Sequence, residues 1–381
     1  MVIYLDHNAT TPIDPRVIDA MKPYLYEIFG NPSSVEHQHG HDASAAIERA
    51  REQTAAVIGA KANEIVFTAS CTEADNMAVL GVARANSEKR HIITSAIEHP
   101  AVLEPIRMLE REGWSVTYLP VDEKGQVSVD GVKGAIRKET ALVSIMAANN
   151  EVGSLQPIRS IGAVCAEREV LFHVDLAQVV AYHEVDVERD NIHLASLSGH
   201  KAYGPKGVGV LYVRSRRPRV RLAPILFGGG QERGLRPGTL NTTAIVGMGE
   251  AMAIARSSAV KEGLRLSTLC QRFLEKIRGS VEGASLNGPE DARLANNISL
   301  SVVGVEPLAL IRRLNREISF SASSACATDK IQTSHVLLAM FGETARARQA
   351  FRIAPGRFTT ESDIDLAADL LISEIARLRG G

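Results

Sequence analysis

Short apolar runs rich in valine, isoleucine and leucine alternate along this chain with longer stretches in which apolar positions recur at helical spacing. Strand-like runs fall at 64–68, 91–95, 115–119, 142–147, 171–175, 194–198 and 207–213, with helix-like stretches between them, as at 73–86 and 158–169. Apolar strands separated by amphipathic helices predict an α/β fold with a mainly parallel seven-stranded sheet covered by helices. From about 243 to 280 the helical spacing is unbroken, which predicts one long helix bridging to a second unit. Strand-like 297–302, helix-like 306–316 and a final amphipathic helix at 363–378 predict that this unit is a smaller α+β domain. The expected division is a large domain over 16–255 and a small domain built from 1–15 and 256–381.

A chain of 381 residues is long enough for two such domains. With 43 Lys+Arg against 44 Asp+Glu there is no strong field toward nucleic acid or an anionic membrane, so neither is expected as a direct partner. Residues 1–6 lack the basic start and apolar run of a signal peptide, and no later stretch is long enough to span a bilayer. A cytoplasmic location is expected. Four cysteines, Cys71, Cys165, Cys270 and Cys326, form no CxxC pair, which argues against a disulfide framework and a zinc site. Cys165 and Cys270 fall in helical patterns and are expected to be buried and inert, whereas the small neighbours of Cys326 predict an exposed loop. His37, His39 and His41 alternate in a polar stretch that reads as a solvated loop, not a metal site, and no metal is expected.

In open α/β sheets ligands bind beyond the carboxyl ends of the strands. Here those ends carry reactive groups. Lys201 closes the run Ser198-Gly199-His200-Lys201, and Asp175 ends an earlier strand. An amine for a Schiff base and a carboxylate for a pyridinium nitrogen are what pyridoxal phosphate (PLP) needs. Asp175 by itself could be a helix cap or, with His173, part of a metal site; Gln178, able to hydrogen-bond the cofactor's phenolic oxygen, favours the PLP reading. At 68–73 a strand runs into a helix, pointing free N–H groups and the positive dipole end at an anion, with the Thr72 hydroxyl as a further donor. Taken alone, that turn reads more readily as an ordinary cap at Ser70 or Thr72. Ser198 and His200 lie close enough to Lys201 to reach the same phosphate. Lys206 is the rival amine, but Gly204-Pro205-Lys206-Gly207 reads as a turn, and no Ser or Thr follows the lysine as a P-loop requires.

From end to end the chain resembles the PLP-dependent cysteine desulfurases of the NifS and IscS type, members of the class V aminotransferase group with the PLP fold type I architecture. The resemblance rests on the segments 4–12, 29–34, 98–102, 149–153, 173–178, 198–201 and 236–239, in that order. It implies that His99 stacks on the pyridine ring and helps move protons, and that Cys71, Thr72, Ser198 and His200 hold the phosphate. It further implies a homodimer with shared sites, the glycine-rich segment 228–233 near the subunit interface and Thr239 reaching the neighbour's phosphate. Arg352 matches the arginine that clamps an amino acid's α-carboxylate, a task suited to its planar fork, with Asn150 assisting and Arg357 as a nearby rival.

Cys326, in Ser323-Ser324-Ala325-Cys326-Ala327-Thr328, matches the family's catalytic thiol. The implied reaction converts L-cysteine to L-alanine: Lys201 removes the α-proton, Cys326 takes the sulfur as a persulfide, and an acceptor protein receives it. Departures from the family pattern fall at Ser70-Cys71, Ser323, Ala327 and Ile353-Ala354-Pro355, and point to a specialised relative, with a DndA-like branch one option. Iron–sulfur assembly, tRNA thiolation and DNA phosphorothioation all remain open as destinations. Two other readings stand beside this one: another class V enzyme, such as an aminotransferase or selenocysteine lyase, or a non-catalytic scaffold for sulfur-relay partners.

Overall fold

The computed structural model describes residues 2–380 apart from Ser87, Arg217 and 323–332. Its centre is a seven-stranded sheet in the order Ile65–Thr68, Gly209–Val213, Leu194–Ser198, Leu171–Asp175, Thr140–Ser144, His91–Ser95, Ser115–Leu119. Only Gly209–Val213 runs antiparallel to its neighbours. Side chains alternate across this sheet, as strand geometry requires. Val66, Ile92, Leu142, Leu194 and Leu211 pack against the helices Cys71–Ala85 and Pro100–Arg111. Phe67, Ile93, Val143, Ala195 and Val210 face the opposite core, which Ile47, Ile161 and Met248 complete. Burial on both faces is why these strands read as continuous apolar runs.

The long helix is present over Thr242–Ser280. It leads to a four-stranded antiparallel sheet, Ser321–Ala322, Ala350–Ile353, Ile298–Val302 and Ala284–Asn287, covered by the helices Pro307–Leu314 and Glu361–Gly380. The chain's start returns to this region, because Ile3–Tyr4 pairs in parallel with Ile318–Ser319 and Asp6 bridges to Ala354.

One expectation is corrected. The stretch with His37, His39 and His41 is solvent-exposed but is not a loop: it is the start of the helix Gln38–Val57, with His37 as its cap, its Nδ1 accepting from the Gly40 N–H. The helix is fixed by its buried face of Gly40, Ala43, Ala46, Ile47 and Ala50, small residues whose weak apolar signal hid the periodicity. Its Arg51 is buried against Glu232, with two bonds of 2.8 Å, and Glu232 also accepts from the Phe67 N–H at 2.8 Å. This pair pins the glycine-rich segment, where Glu232 and Arg233 hold φ of 47° and 58°, to the sheet edge.

Gly209 allows the helix Cys71–Ala85 to start where it does, since a Cβ there would lie 2.3 Å from the Ser70 carbonyl carbon and 2.6 Å from the Cys71 nitrogen. Neither backbone atom can yield without moving the helix start. Gly209→Ala should therefore lower unfolding stability by about 1–3 kcal/mol in urea titration, the range for overpacked cores. An unchanged midpoint would contradict this packing.

Candidate active site

The carboxyl ends of five strands of the large sheet converge on a cavity of about 280 Å³, near the lower limit for small-molecule sites. Ser70, Cys71 and Thr72 follow the first strand, His99 the strand His91–Ser95, and Met146, Ala148 and Asn150 the strand Thr140–Ser144. Asp175 and Gln178, then Ser198, His200 and Lys201, complete the wall. Nine of the residues singled out from sequence thus line one space: Cys71, Thr72, His99, Asn150, Asp175, Gln178, Ser198, His200 and Lys201.

Lys201 ends a short 3₁₀ turn, Gly199–Lys201. Its ammonium donates to the carbonyl of Ala9 at 2.7 Å and to that of Asn8. Burial and the nearby Arg352 charge push its pKa down to about 8, against the opposing pull of Asp6 and Asp175. The turn is locked from behind by Tyr203, a fully buried residue with φ of 64°, a conformation that costs a non-glycine residue about 1–3 kcal/mol. Partners on several sides hold it there. The Tyr203 hydroxyl meets Tyr182 at 2.9 Å and accepts from the Arg357 N–H at 2.6 Å, and the Tyr203 N–H donates to Thr11 Oγ1 at 3.0 Å.

Asp175 is buried at the end of the adjacent strand Leu171–Asp175. Its Oδ1 accepts from the Ala177 N–H at 2.8 Å and from the Cys71 thiol at 3.7 Å. Asp75 lies close by, with a buried Oδ1 that has no hydrogen-bond partner among the described residues. One ligand-type atom from each of Cys71, Asp75 and Asp175 falls within 4.8 Å of the others, a spacing that could suit a cation. Burial and the Asp175 charge, however, push both Cys71 and Asp75 well above their usual pKa, which disfavours the anionic forms that a cation would need as ligands. The arrangement suits a protonated ring nitrogen better than a metal ion.

The helix Cys71–Ala85 starts with Ser70 as cap, accepting from the Glu73 N–H at 3.1 Å. The N–H groups of Cys71 and Thr72 precede the first intrahelical bonds and have no hydrogen-bond partner among the described residues, which leaves them available to an anion. The cap reading and the anion reading of this turn thus hold together. His200 donates toward or accepts from Thr10 Oγ1 at 3.0 Å, and burial with the nearby lysines pushes its pKa down to about 4, which leaves it neutral. Gln178 and Asn8 exchange two hydrogen bonds, of 3.2 and 3.0 Å. His99 caps the helix Pro100–Arg111, its Nδ1 accepting from the Ala101 N–H at 3.1 Å.

Arg352 is on the strand Ala350–Ile353, and its Nη1 donates to the Asn150 carbonyl at 2.9 Å, on the cavity rim. Its rival Arg357 is committed elsewhere, paired with Asp14 at 2.7 Å and stacked 4.2 Å over the Tyr203 ring. Thr239 is exposed and does not line the cavity of this chain. Cys326 lies outside the described residues. Cys165 and Cys270 are buried with pKa values pushed up to about 12, as inert core thiols require.

Sequence reasoning missed Asp6, Asn8, Asp75 and Glu98. Glu98 is fully buried, its pKa pushed up to about 8 by that burial, and it accepts from Ser95 and from the Met146 N–H at 3.0 Å, fixing two strand ends to each other. The charged neighbours Asp6 and Glu98 sat inside motifs already noted for Tyr4 to Pro12 and for His99, which was the available signal.

Comparison with known proteins identifies the family and the fold. The family described as Aminotransferase class-V matches residues 3–366. The chain is 46% identical over 378 residues to the cysteine desulfurase IscS of Rickettsia bellii (strain OSU 85-389), covering 99% of this chain and 92% of that one. Among solved structures it is similar to a NifS-like protein, with a TM-score of 0.92, 36% identity, and coverage of 99% of this chain and 100% of the other. It is also similar to SspA in complex with cysteine, with a TM-score of 0.82, 38% identity, and coverage of 94% and 100%.

The lowered pKa of Lys201 has a measurable consequence. Its amine should be half neutral near pH 8, so labelling by trinitrobenzenesulfonate, read by peptide mapping, should rise with a midpoint near pH 8 while exposed lysines rise near about 10.4. A midpoint for Lys201 matching the exposed lysines would show that its charge is not desolvated.

Proposed function

Because the chain belongs to the class-V aminotransferase family, and within it to the cysteine desulfurases, we propose that the cavity holds pyridoxal phosphate and that L-cysteine is turned over there to L-alanine. The observation that carries this reading is the placement of the Lys201 amine and the Asp175 carboxylate on the walls of one cavity, beside a free helix start. Lys201 would attach the cofactor, Asp175 would pair with its ring nitrogen, and His99 would lie against the ring. Gln178 would meet the phenolic oxygen, and Cys71, Thr72, Ser198 and His200 would hold the phosphate. When bound, the cofactor supplies an electron sink that acidifies the α-proton of an amino acid.

The residues of this chain then divide the remaining work. Arg352 and Asn150 hold the substrate's α-carboxylate, and Lys201, with its pKa of about 8, is suited to take the α-proton near neutral pH. The Cys326 thiolate attacks the substrate sulfur: an S–S bond forms, the Cβ–S bond breaks, and its electron pair stays on carbon, which is protonated. L-Alanine leaves and Cys326 keeps a persulfide, to be passed to a sulfur-acceptor protein. An unperturbed thiol has a pKa near about 8.5, so Cys326 needs local activation. His99 could supply it.

Exposed Tyr26, Phe29 and Phe227, the last at 83% exposure beside the glycine-rich segment, support a homodimer in which Thr239 reaches the partner's phosphate. The pairing of Ile3–Tyr4 with Ile318–Ser319 supports the division into 16–255 and 1–15 with 256–381. No helix among the described residues is long and apolar enough to cross a membrane, which is in keeping with a cytoplasmic enzyme. Direct contact with nucleic acid is not part of the proposal.

Incubation with L-cysteine should yield alanine and, in the wild type, a persulfide found by mass on Cys326. Cys326→Ser should lose the persulfide and slow alanine formation at least about 10²-fold, the scale for losing a nucleophile or acid–base group. Equal alanine from both proteins, without persulfide, would instead favour another class V activity. Arg352→Ala should raise KM for L-cysteine by about tenfold or more, as loss of a charge-assisted bidentate contact predicts.

A further inference from the structure

The proposed clamp already has a carboxylate partner within the chain. Arg352 Nη2 donates to Asp6 Oδ1 at 2.7 Å and Nη1 to the Asn150 carbonyl at 2.9 Å, while Nε is buried with no partner among the described residues. Asp6 is held from its other side, since the Ser321 hydroxyl donates to Oδ2 at 2.7 Å and the Asp6 backbone bridges to Ala354. Asp6 therefore meets the guanidinium through one oxygen only. A guanidinium carries five N–H donors in a fixed fork, so these contacts leave donors unused, the buried Nε–H among them.

We infer that Asp6 is the resident counterion of the carboxylate clamp, a positioning residue that orients Arg352 and shares its charge so that an amino-acid carboxylate is held firmly enough to be aligned and loosely enough to leave. This rests on the reading of Arg352 as the clamp. A buried guanidinium without a counterion would be costly in the free chain and would hold any carboxylate tightly, whereas one fully closed by a bidentate partner would hold none. Ser321 keeps the pair between these limits by engaging the second oxygen. The same residue pair brackets Lys201, whose pKa Arg352 pushes down and Asp6 pushes up, so the clamp's charge balance also reaches the amine.

The inference predicts effects of opposite sign from two neighbouring variants. The probe is L-alanine, with ethylamine as the same amine without the carboxylate, and the readout is equilibrium affinity for the cofactor-loaded protein by calorimetry. Asp6→Asn removes the competing charge, so L-alanine should bind roughly tenfold more tightly, equivalent to ~1.4 kcal/mol, and KM and kcat for L-cysteine should fall together. Ser321→Ala frees Oδ2 to close on Arg352, so L-alanine should bind several-fold more weakly. Ethylamine reports any change made through the Lys201 amine alone, and the L-alanine shifts are taken relative to it.

Unchanged or weaker L-alanine binding in Asp6→Asn, or changes of the same sign in both variants, would overturn the inference. Should Asp6→Asn fail to fold, Ser321→Ala decides alone, and unchanged or tighter binding there overturns it. Wild-type protein that binds L-alanine no better than ethylamine would remove the clamp itself, a failure distinct from that of Asp6.

Discussion

The rest of the site depends on a primary amine held out of bulk water. Lys201 is packed so that its ammonium faces the backbone carbonyls of Asn8 and Ala9 at the cavity wall, and partial loss of hydration is the first cause of its lowered pKa. Keeping a lysine in this state requires the chain's start to be fixed over the sheet end. The pairing of Ile3–Tyr4 with Ile318–Ser319, the Asp6–Arg352 ion pair and the Gln178–Asn8 bonds do this, so the small sheet and the large sheet meet at the amine.

The same constraint explains the strained backbone beyond the lysine. Tyr203 can stay in the left-handed region because its ring is buried under Arg357 and its hydroxyl is shared between Tyr182 and the Arg357 N–H. Asp14 completes the cluster, its carboxyl held well below the usual range chiefly by the Arg16 hydrogen bonds, with Arg357 adding to the effect. In the same cavity the Cys71 thiol and the Ala177 N–H both bond Asp175 Oδ1. The cavity thus carries a carboxylate and an amine from two adjacent strands, and both are set by buried networks.

Much of this was legible in the sequence because burial on both faces writes itself as apolar runs. The strands 91–95, 171–175 and 194–198 match those in the structure, as does the half-exposed edge strand 115–119, and reactive residues placed after strands could be assigned to one end of the sheet. The helix Gln38–Val57 was not legible, since its buried face is mostly alanine and glycine and its start is crowded with histidines. Asp6 was hidden for a different reason: its partner Arg352 is 346 residues away, and no local pattern reports a pair made by closing the two ends of a chain. Arg352 and Arg357 could not be separated by type or spacing. Their partners, Asn150 and Asp6 for one and Tyr203 and Asp14 for the other, separate them.

The central claim is that Lys201 is the amine that takes the cofactor. Protein incubated with pyridoxal phosphate, reduced with borohydride and digested should carry one pyridoxyl group, located by peptide mass on Lys201. A group found on Lys206, or no stable adduct at all, would contradict the account.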